Sequence, residues 1–196
     1  MVLVPVKAFG AAKQRLAPAL GPAERATLAR RMAEQVLAAA APLPVAVVCD
    51  DAEVAEWARQ LGVTVIGEPG RGLNGAVAAG VSALEAAGAG EVVVAHADLP
   101  AARTLAPLTG FSGVTLVPDR RRDGTNVLCV PAGAGFRFAY GPGSFGRHLA
   151  EVHRLGLACR VLDQPDLAWD VDVPGDLIAA SRSAPAGNGA RRVDRS

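Results

Sequence analysis

The sequence predicts the α/β class: a mixed, mostly parallel sheet with helices on both faces. Two observations carry that expectation. Runs of strand length, apolar and nearly uninterrupted, recur at residues 2–6, 45–49, 63–66 and 91–95. Such runs belong to parallel strands buried on both faces. Between them the apolar residues change to helical spacing, so strand and helix alternate along the first half of the chain. With 51% hydrophobic and 20% charged residues, the chain has the apolar content for a sizeable core. Its 196 residues fit one domain, placed at 1–180, with a small, polar tail at 181–196 that reads as disordered.

The first strand ends at Lys7, and a basic loop runs on to Leu16. Gly21-Pro22 opens a helix, because proline is tolerated in a first turn. Leu28, Met32, Val36 and Leu37 recur at helical spacing, and Pro42 and Pro44 stop it. The second strand ends at Asp50-Asp51, which can cap a helix from Ala52 that stops at Gly62. After the third strand a glycine-rich turn leads into a helix from Leu73 to Ala87. The fourth strand runs into His96-Ala97-Asp98-Leu99-Pro100. Beyond Gly110 the pattern becomes strand–loop–strand (114–117 and 126–130), then a helix from Phe145 to Leu155, a strand at 159–162 and a last helix at Pro174.

In open α/β sheets ligands bind beyond the carboxyl ends of the strands. Lys7, Lys13 and Arg15 follow the first strand and are able to surround a polyphosphate, helped by the backbone N–H groups of Phe9, Gly10 and Ala11. The plain alternative is a solvated loop. Neither the P-loop nor the dinucleotide fingerprint is present. Asp98, at a strand end, suits Mg²⁺ or simply a turn. Asp170 and Asp172 alternate on an extended segment and so share one face, as a metal pair would. Asp176 reads as structural, in the first turn of a helix. Gly72 and Asn74 either read a base or ribose, or form an ordinary capping turn. Thr125, Gly141 and Ser144 lie in loops, with Ser144 at a helix N-terminus, which favours anions. Ordinary cap chemistry is the alternative there. Arg120, Arg121 and Arg122 read as a solvated loop rather than an anion guide.

Other chemistries are excluded. A formal net charge of +1 calls for neither nucleic acid nor an acidic membrane surface. No apolar run approaches the roughly 18–20 residues that span a bilayer, and the start lacks signal-peptide character, so a cytoplasmic location is expected. Cys49, Cys129 and Cys159 lack metal spacing and read as buried free thiols. His96 reads as a satisfied core histidine, and His148 and His153 as residues of a surface helix. No triad or zinc site is visible.

Val4-Pro5-Val6-Lys7, followed by Ala12-Lys13-Gln14-Arg15-Leu16, resembles the opening signature of the 2-phospho-L-lactate or phosphoenolpyruvate guanylyltransferases of the deazaflavin coenzyme F-420 pathway. Gly72-Leu73-Asn74, Ala97-Asp98-Leu99-Pro100, Asp123-Gly124-Thr125-Asn126, Tyr140-Gly141-Pro142-Gly143-Ser144-Phe145 and Asp170-Val171-Asp172 follow in that family's order. The resemblance implies a three-layer α/β/α sandwich like that of nucleotide-diphospho-sugar transferases. It implies GTP as donor and a phosphorylated three-carbon acid as acceptor. Lys7, Lys13 and Arg15 would bind the GTP phosphates, with Gly72 and Asn74 also at the nucleotide. Lys7, Lys13 and Asp98 would be catalytic. Thr125, Gly141 and Ser144 would bind the acceptor's phosphate and carboxylate, and Asp98, Asp170 and Asp172 would hold Mg²⁺.

Such a reaction needs no general base. A phosphomonoester, with a second pKa of about 6, is already mostly a dianion near pH 7. Phosphoenolpyruvate and 2-phospho-L-lactate differ in shape and not in charge. A composition in keeping with a GC-rich actinobacterial genome tips the expectation to phosphoenolpyruvate. Two alternatives stay open. A molybdopterin or sugar-phosphate nucleotidyltransferase would usually open on a Leu-Ala-Ala-Gly-Gly-type loop, which residues 4–16 lack. A non-catalytic nucleotide-binding module would be expected to have lost its carboxylates. Oligomeric state is left open, a homodimer among the options.

Overall fold

The computed structural model describes residues 1–68 and 70–177, so the tail expected at 181–196 lies outside the described residues. Seven strands form one sheet: β1 (Val2–Pro5), β2 (Val45–Cys49), β3 (Thr64–Gly67), β4 (Glu91–Ala95), β5 (Val114–Pro118), β6 (Thr125–Pro131) and β7 (Cys159–Val161). Their order is β3-β2-β1-β4-β6-β5-β7. β1 pairs in parallel with β2 and β4, β2 with β3, and β5 with β7. β6 alone runs the other way, antiparallel to β4 and β5. The sheet is thus mixed and mostly parallel, as the apolar runs predict.

Helices α1 (Pro22–Ala39), α2 (Ala52–Gln60), α3 (Gly72–Ala86), α4 (Ser144–Arg154) and the short α5 (Pro165–Ala168) complete the layers. Glu24 closes the start of α1 by accepting from the Gly21 N–H, and Asp51 caps α2 by accepting from the Val54 N–H. Strand alternation assigns the faces. Val2, Val4, Val93 and Ala95 pack with α1 and α2, around Ala33, Val36 and Trp57. Leu3, Val92 and Val94 pack against Val77, Val81 and Leu84 of α3. α4 covers Leu116, Leu128 and Val130 through Phe145 and Val152. Val94 stands opposite Leu128, so α3 and α4 share a face and the molecule has three layers. Each fully buried Val or Leu contributes about 1.5–3 kcal/mol. Gly80 lets α3 approach β1 closely, since a Cβ there would stand 2.7 Å from Leu3 Cδ2.

Two features position the site. β1 has β2 on one side and β4 on the other, which makes a topological switch beyond their carboxyl ends. The reversed β6 delivers its first residue, Thr125, to that same edge, where the His96 N–H donates to Asn126 O at 3.0 Å. Neither this reversal nor α5 is marked in the sequence. The basic loop after β1 is also more ordered than expected. Two 3-10 turns, Phe9–Ala11 and Gln14–Leu16, flank it. Lys13 stands between them at φ 55, a left-handed conformation costing roughly 1–2 kcal/mol outside glycine. Such strain persists where neighbours fix it, commonly at a functional site. Cys49 and Cys129 are buried free thiols as expected, whereas Cys159 is exposed on the edge strand β7.

Candidate active site

A cavity of ≈ 610 Å³ opens at the switch point. The loop after β1 brings Lys7, Lys13 and Arg15 to it, and the end of β4 brings Asp98. The extended segment with Asp170 and Asp172 joins them, and Thr125 at the start of β6 and the turn with Gly141 and Ser144 close the opposite side. Residues from widely separated stretches of the chain thus meet at one opening.

The wall below β1 and β4 is charged. Lys13 Nζ donates to Asp98 Oδ2 at 2.6 Å and to Asp172 Oδ1 at 3.2 Å, and Arg15 Nη1 donates to Asp172 Oδ2 at 3.2 Å. Burial works to raise the Asp98 carboxyl, but the Lys13 ammonium, with His96 beside it, holds it below the usual range. Burial likewise works against the Lys13 charge, and Asp98 and then Asp172 overcome it and raise its pKa. Asp170 goes the other way: burial, then the Asp98 charge, then Asp172 and Asp119 push its carboxyl up. Lys7 is exposed, and among the described residues its ammonium has no hydrogen-bond or ion-pair partner.

The segment carrying Asp170 and Asp172 is braced from behind. Asp176 accepts from the backbone N–H groups of Asp172 and Val173, both at 2.8 Å, and pairs with the Arg120 guanidinium. Arg120 also donates to Asp170 O at 3.3 Å and lies 4.2 Å over the Trp169 ring. The solvated-loop expectation is therefore corrected for Arg120, while Arg122 pairs with Asp163 across the surface. Asp176 is structural, as its place in the first turn of a helix implied.

The donor set suits a hard cation. Asp98 Oδ1 is buried without a hydrogen-bond partner among the described residues, and Asp170 is crowded by other carboxylates. Among the described residues no three His, Cys, Asp or Glu side chains already stand together as a metal cluster. Mg²⁺ does not require one: one or two carboxylates, with phosphate oxygens and water, complete its shell.

The opposite wall centres on neutral, buried groups, with the exposed Asp123 carboxylate beside them. The Thr125 N–H donates to Ser144 Oγ at 3.0 Å, and His148 Nδ1 lies 3.0 Å from Thr125 Oγ1. Gly141 at φ 118 and Gly143 at φ 72 take the turn that leads into α4, where a side chain would be strained. The Gly143 N–H donates to Asp123 Oδ2 and the Phe145 N–H to Asp123 O, both at 3.0 Å, which ties this turn to the start of β6.

Two expectations, both for histidines, are corrected here, and Gly72 and Asn74 stand apart from the cavity, although Leu73 between them lines it. The Asn74 amide is occupied instead, accepting from the Tyr140 N–H at 2.7 Å and donating to Tyr140 O at 3.3 Å. His148 is not a surface residue but fully buried. His96 is not a satisfied core histidine: it lies one residue beyond β4, lines the cavity, and its Nε2 is buried without a partner among the described residues. A signal for His148 was present. Phe145, His148, Leu149 and Val152 keep the i, i+3, i+4, i+7 spacing of a buried helix face.

The comparisons with known proteins concern the family and the fold. The model of the family described as "Guanylyl transferase CofC like" matches residues 1–180. A phosphoenolpyruvate guanylyltransferase from Rubrobacter xylanophilus is 37% identical over 190 residues, covering 92% of this chain and 93% of its own. One from Thermomonospora curvata is 41% identical over 193 residues, covering 91% and 82%. Among solved structures, one from Desulfovibrio desulfuricans, provisionally assigned as a nucleotide-diphospho-sugar transferase, superposes with a TM-score of 0.75 at 19% identity over 95% of this chain and 87% of that one. That last likeness concerns the fold alone.

Proposed function

The chain belongs to the CofC-like guanylyl transferase family, and we propose that it joins GMP from GTP to phosphoenolpyruvate, releasing pyrophosphate, in the cytoplasmic synthesis of coenzyme F-420. The observation that carries this reading is the meeting of two unlike anion sites at one cavity. A cationic loop with Lys7, Lys13 and Arg15 faces a neutral turn with the Thr125 and Ser144 hydroxyls. A triphosphate and a smaller phosphorylated acid are the pair of ligands such walls suit. The names of the Rubrobacter and Thermomonospora relatives support phosphoenolpyruvate as the acceptor.

In this reaction a phosphate oxygen of the acceptor attacks the α-phosphorus of GTP. The bond from that phosphorus to the bridging oxygen breaks, and pyrophosphate leaves with the electron pair. No proton has to move, because the acceptor is already a dianion. The obstacle is repulsion between two anions. Lys7 and Arg15 bring positive charge to the triphosphate, and Lys13 keeps the buried carboxylates neutralised. Thr125 and Ser144 hold the acceptor by neutral donors. Asp98 with Asp170 and Asp172 would hold Mg²⁺, which supplies charge to the phosphates and the leaving group.

The test is pyrophosphate release from GTP and Mg²⁺ with phosphoenolpyruvate and 2-phospho-L-lactate offered separately. Release with phosphoenolpyruvate is expected. Release with 2-phospho-L-lactate alone would change the acceptor, and release with neither would overturn the reading.

A further inference from the structure

His148 is fully buried, yet nothing in the reaction as described uses it. Both of its ring nitrogens are engaged. The Ala139 N–H donates to Nε2 at 3.0 Å, and Nδ1 lies 3.0 Å from Thr125 Oγ1. A backbone N–H can only donate, so Nε2 carries no proton. In a neutral ring the proton is then on Nδ1, which makes Nδ1 the donor and Thr125 Oγ1 the acceptor. Burial first, and then the nearby Arg147 and His96, push the His148 pKa down to about 4, which keeps the ring neutral.

The consequence falls on the hydroxyl groups. Thr125 Oγ1 accepts from His148, and Ser144 Oγ accepts from the Thr125 N–H. Among the described residues neither hydroxyl proton has a protein acceptor, and both residues line the cavity. A hydroxyl that already accepts from the protein is left with its own proton to give. A hydroxyl without such a partner rotates freely and must give up that freedom when it donates to an anion.

We propose that His148 is a positioning residue for the acceptor: by donating Nδ1–H to Thr125 Oγ1, it commits the Thr125 hydroxyl, beside that of Ser144, to donate to a phosphate or carboxylate oxygen of the bound acid. This rests on the assignment of the neutral wall to the acceptor. Ala139, which fixes the tautomer, is next to Tyr140, the residue that Asn74 holds, so α3 supports the same arrangement.

Two variants separate the two ring nitrogens. In His148→Asn the amide nitrogen takes the place of Nδ1 and still donates to Thr125. In His148→Gln the amide oxygen takes the place of Nε2 and accepts from Ala139, and the donor to Thr125 is lost. For His148→Gln the KM for phosphoenolpyruvate should rise about fivefold, the scale of one neutral hydrogen bond, with the KM for GTP within about twofold. His148→Asn should keep both KM values near those of the wild type. In a Thr125→Val background, His148→Gln should add nothing further to the acceptor KM. Equal acceptor KM values for the two single variants would overturn the proposal, as would a parallel rise in the KM for GTP. Nitrogen-15 NMR of the unaltered protein gives a reading that no folding defect can spoil: the Nδ1–H tautomer is expected for His148, and the Nε2–H tautomer would overturn the proposal. A wild-type protein that releases no pyrophosphate with either acid would instead sink the acceptor assignment, whatever the tautomer.

Discussion

On the β1–β4 side of the cavity the polar groups are charged and part-exposed, and they neutralise one another. On the β6–α4 side Thr125, Ser144 and His148 are neutral, buried and hydrogen-bonded among themselves, with Asp123 the exposed carboxylate beside them. Under the proposed function both walls would meet an anion, but by different physics. The charged wall gains from Coulomb attraction, which buried sites strengthen, and it stays stable only while cations and carboxylates balance. The neutral wall gains little from charge and relies on donors fixed before the ligand arrives. The first plan suits a polyphosphate whose charge changes during reaction. The second suits a small acid that must be held in one orientation for in-line attack.

The largest effect is expected at Asp98. Asp98→Ala removes the carboxylate that pairs with Lys13 and carries the unpartnered Oδ1. Turnover is expected to fall by about 10³-fold, the scale of losing one preorganised electrostatic group. The fold should persist, because Asp172 still compensates Lys13. Pyrophosphate release and a thermal melt read the two effects. Activity retained with ordinary metal dependence would refute the metal assignment.

Arg120 tests whether the charged wall depends on its brace. Arg120→Ala leaves Asp176 buried without its guanidinium partner, and costs about 2 kcal/mol, less than a fully buried pair because Arg120 is itself part-exposed. Denaturant unfolding measures this, and turnover should fall with it as the segment with Asp170 and Asp172 loosens. Unchanged stability would mean that Asp176 is held by its two backbone donors alone.

The neutral wall has a smaller test in Asn74→Ala, which removes both hydrogen bonds to the Tyr140 backbone. A loss of about 1–2 kcal/mol is expected, with the KM for phosphoenolpyruvate moved more than that for GTP. A larger effect on GTP would return Asn74 to the nucleotide site.

These residues show what the sequence carries and what it does not. The four parallel strands were legible because continuous apolar runs mean burial on both faces. The direction of β6 was not, since an apolar strand reads alike from either end. Lys7, Lys13, Arg15, Asp98, Asp170 and Asp172 were legible as residues that follow strand ends, and the structure brings all six to one cavity. Arg120, Asn74 and His148 did not, because their roles depend on partners 56, 66 and 23 residues away. Local spacing is blind to such pairings. Only the helical stripe that buries His148 was within reach.

The last test reverses sign between the free and the liganded protein. Asp170 is raised above the usual carboxyl value of 3.8, by burial first and then by the charge of Asp98. A carboxyl whose folded pKa is raised favours folding most when protonated, and that advantage is lost as the pH rises through the folded value. Its negative charge therefore opposes folding at neutral pH. Asp170→Asn should raise Tm at pH 7 by about 2 °C, and the gain should vanish below pH 3.8, where the acid is protonated in both states. The Asp98–Lys13 pair behaves oppositely. The lowered Asp98 contributes above 3.8 and fails as the pH drops through its folded value, while Lys13 contributes below 10.5 and fails as the pH climbs through its raised one. With GTP and Mg²⁺ present the order should invert, because a crowded carboxylate that destabilises the free protein is the one a cation would use. The ligand-induced rise in Tm should then be smaller for Asp170→Asn than for the wild type. An equal rise would leave Asp170 outside the metal site and place its strain in the fold alone.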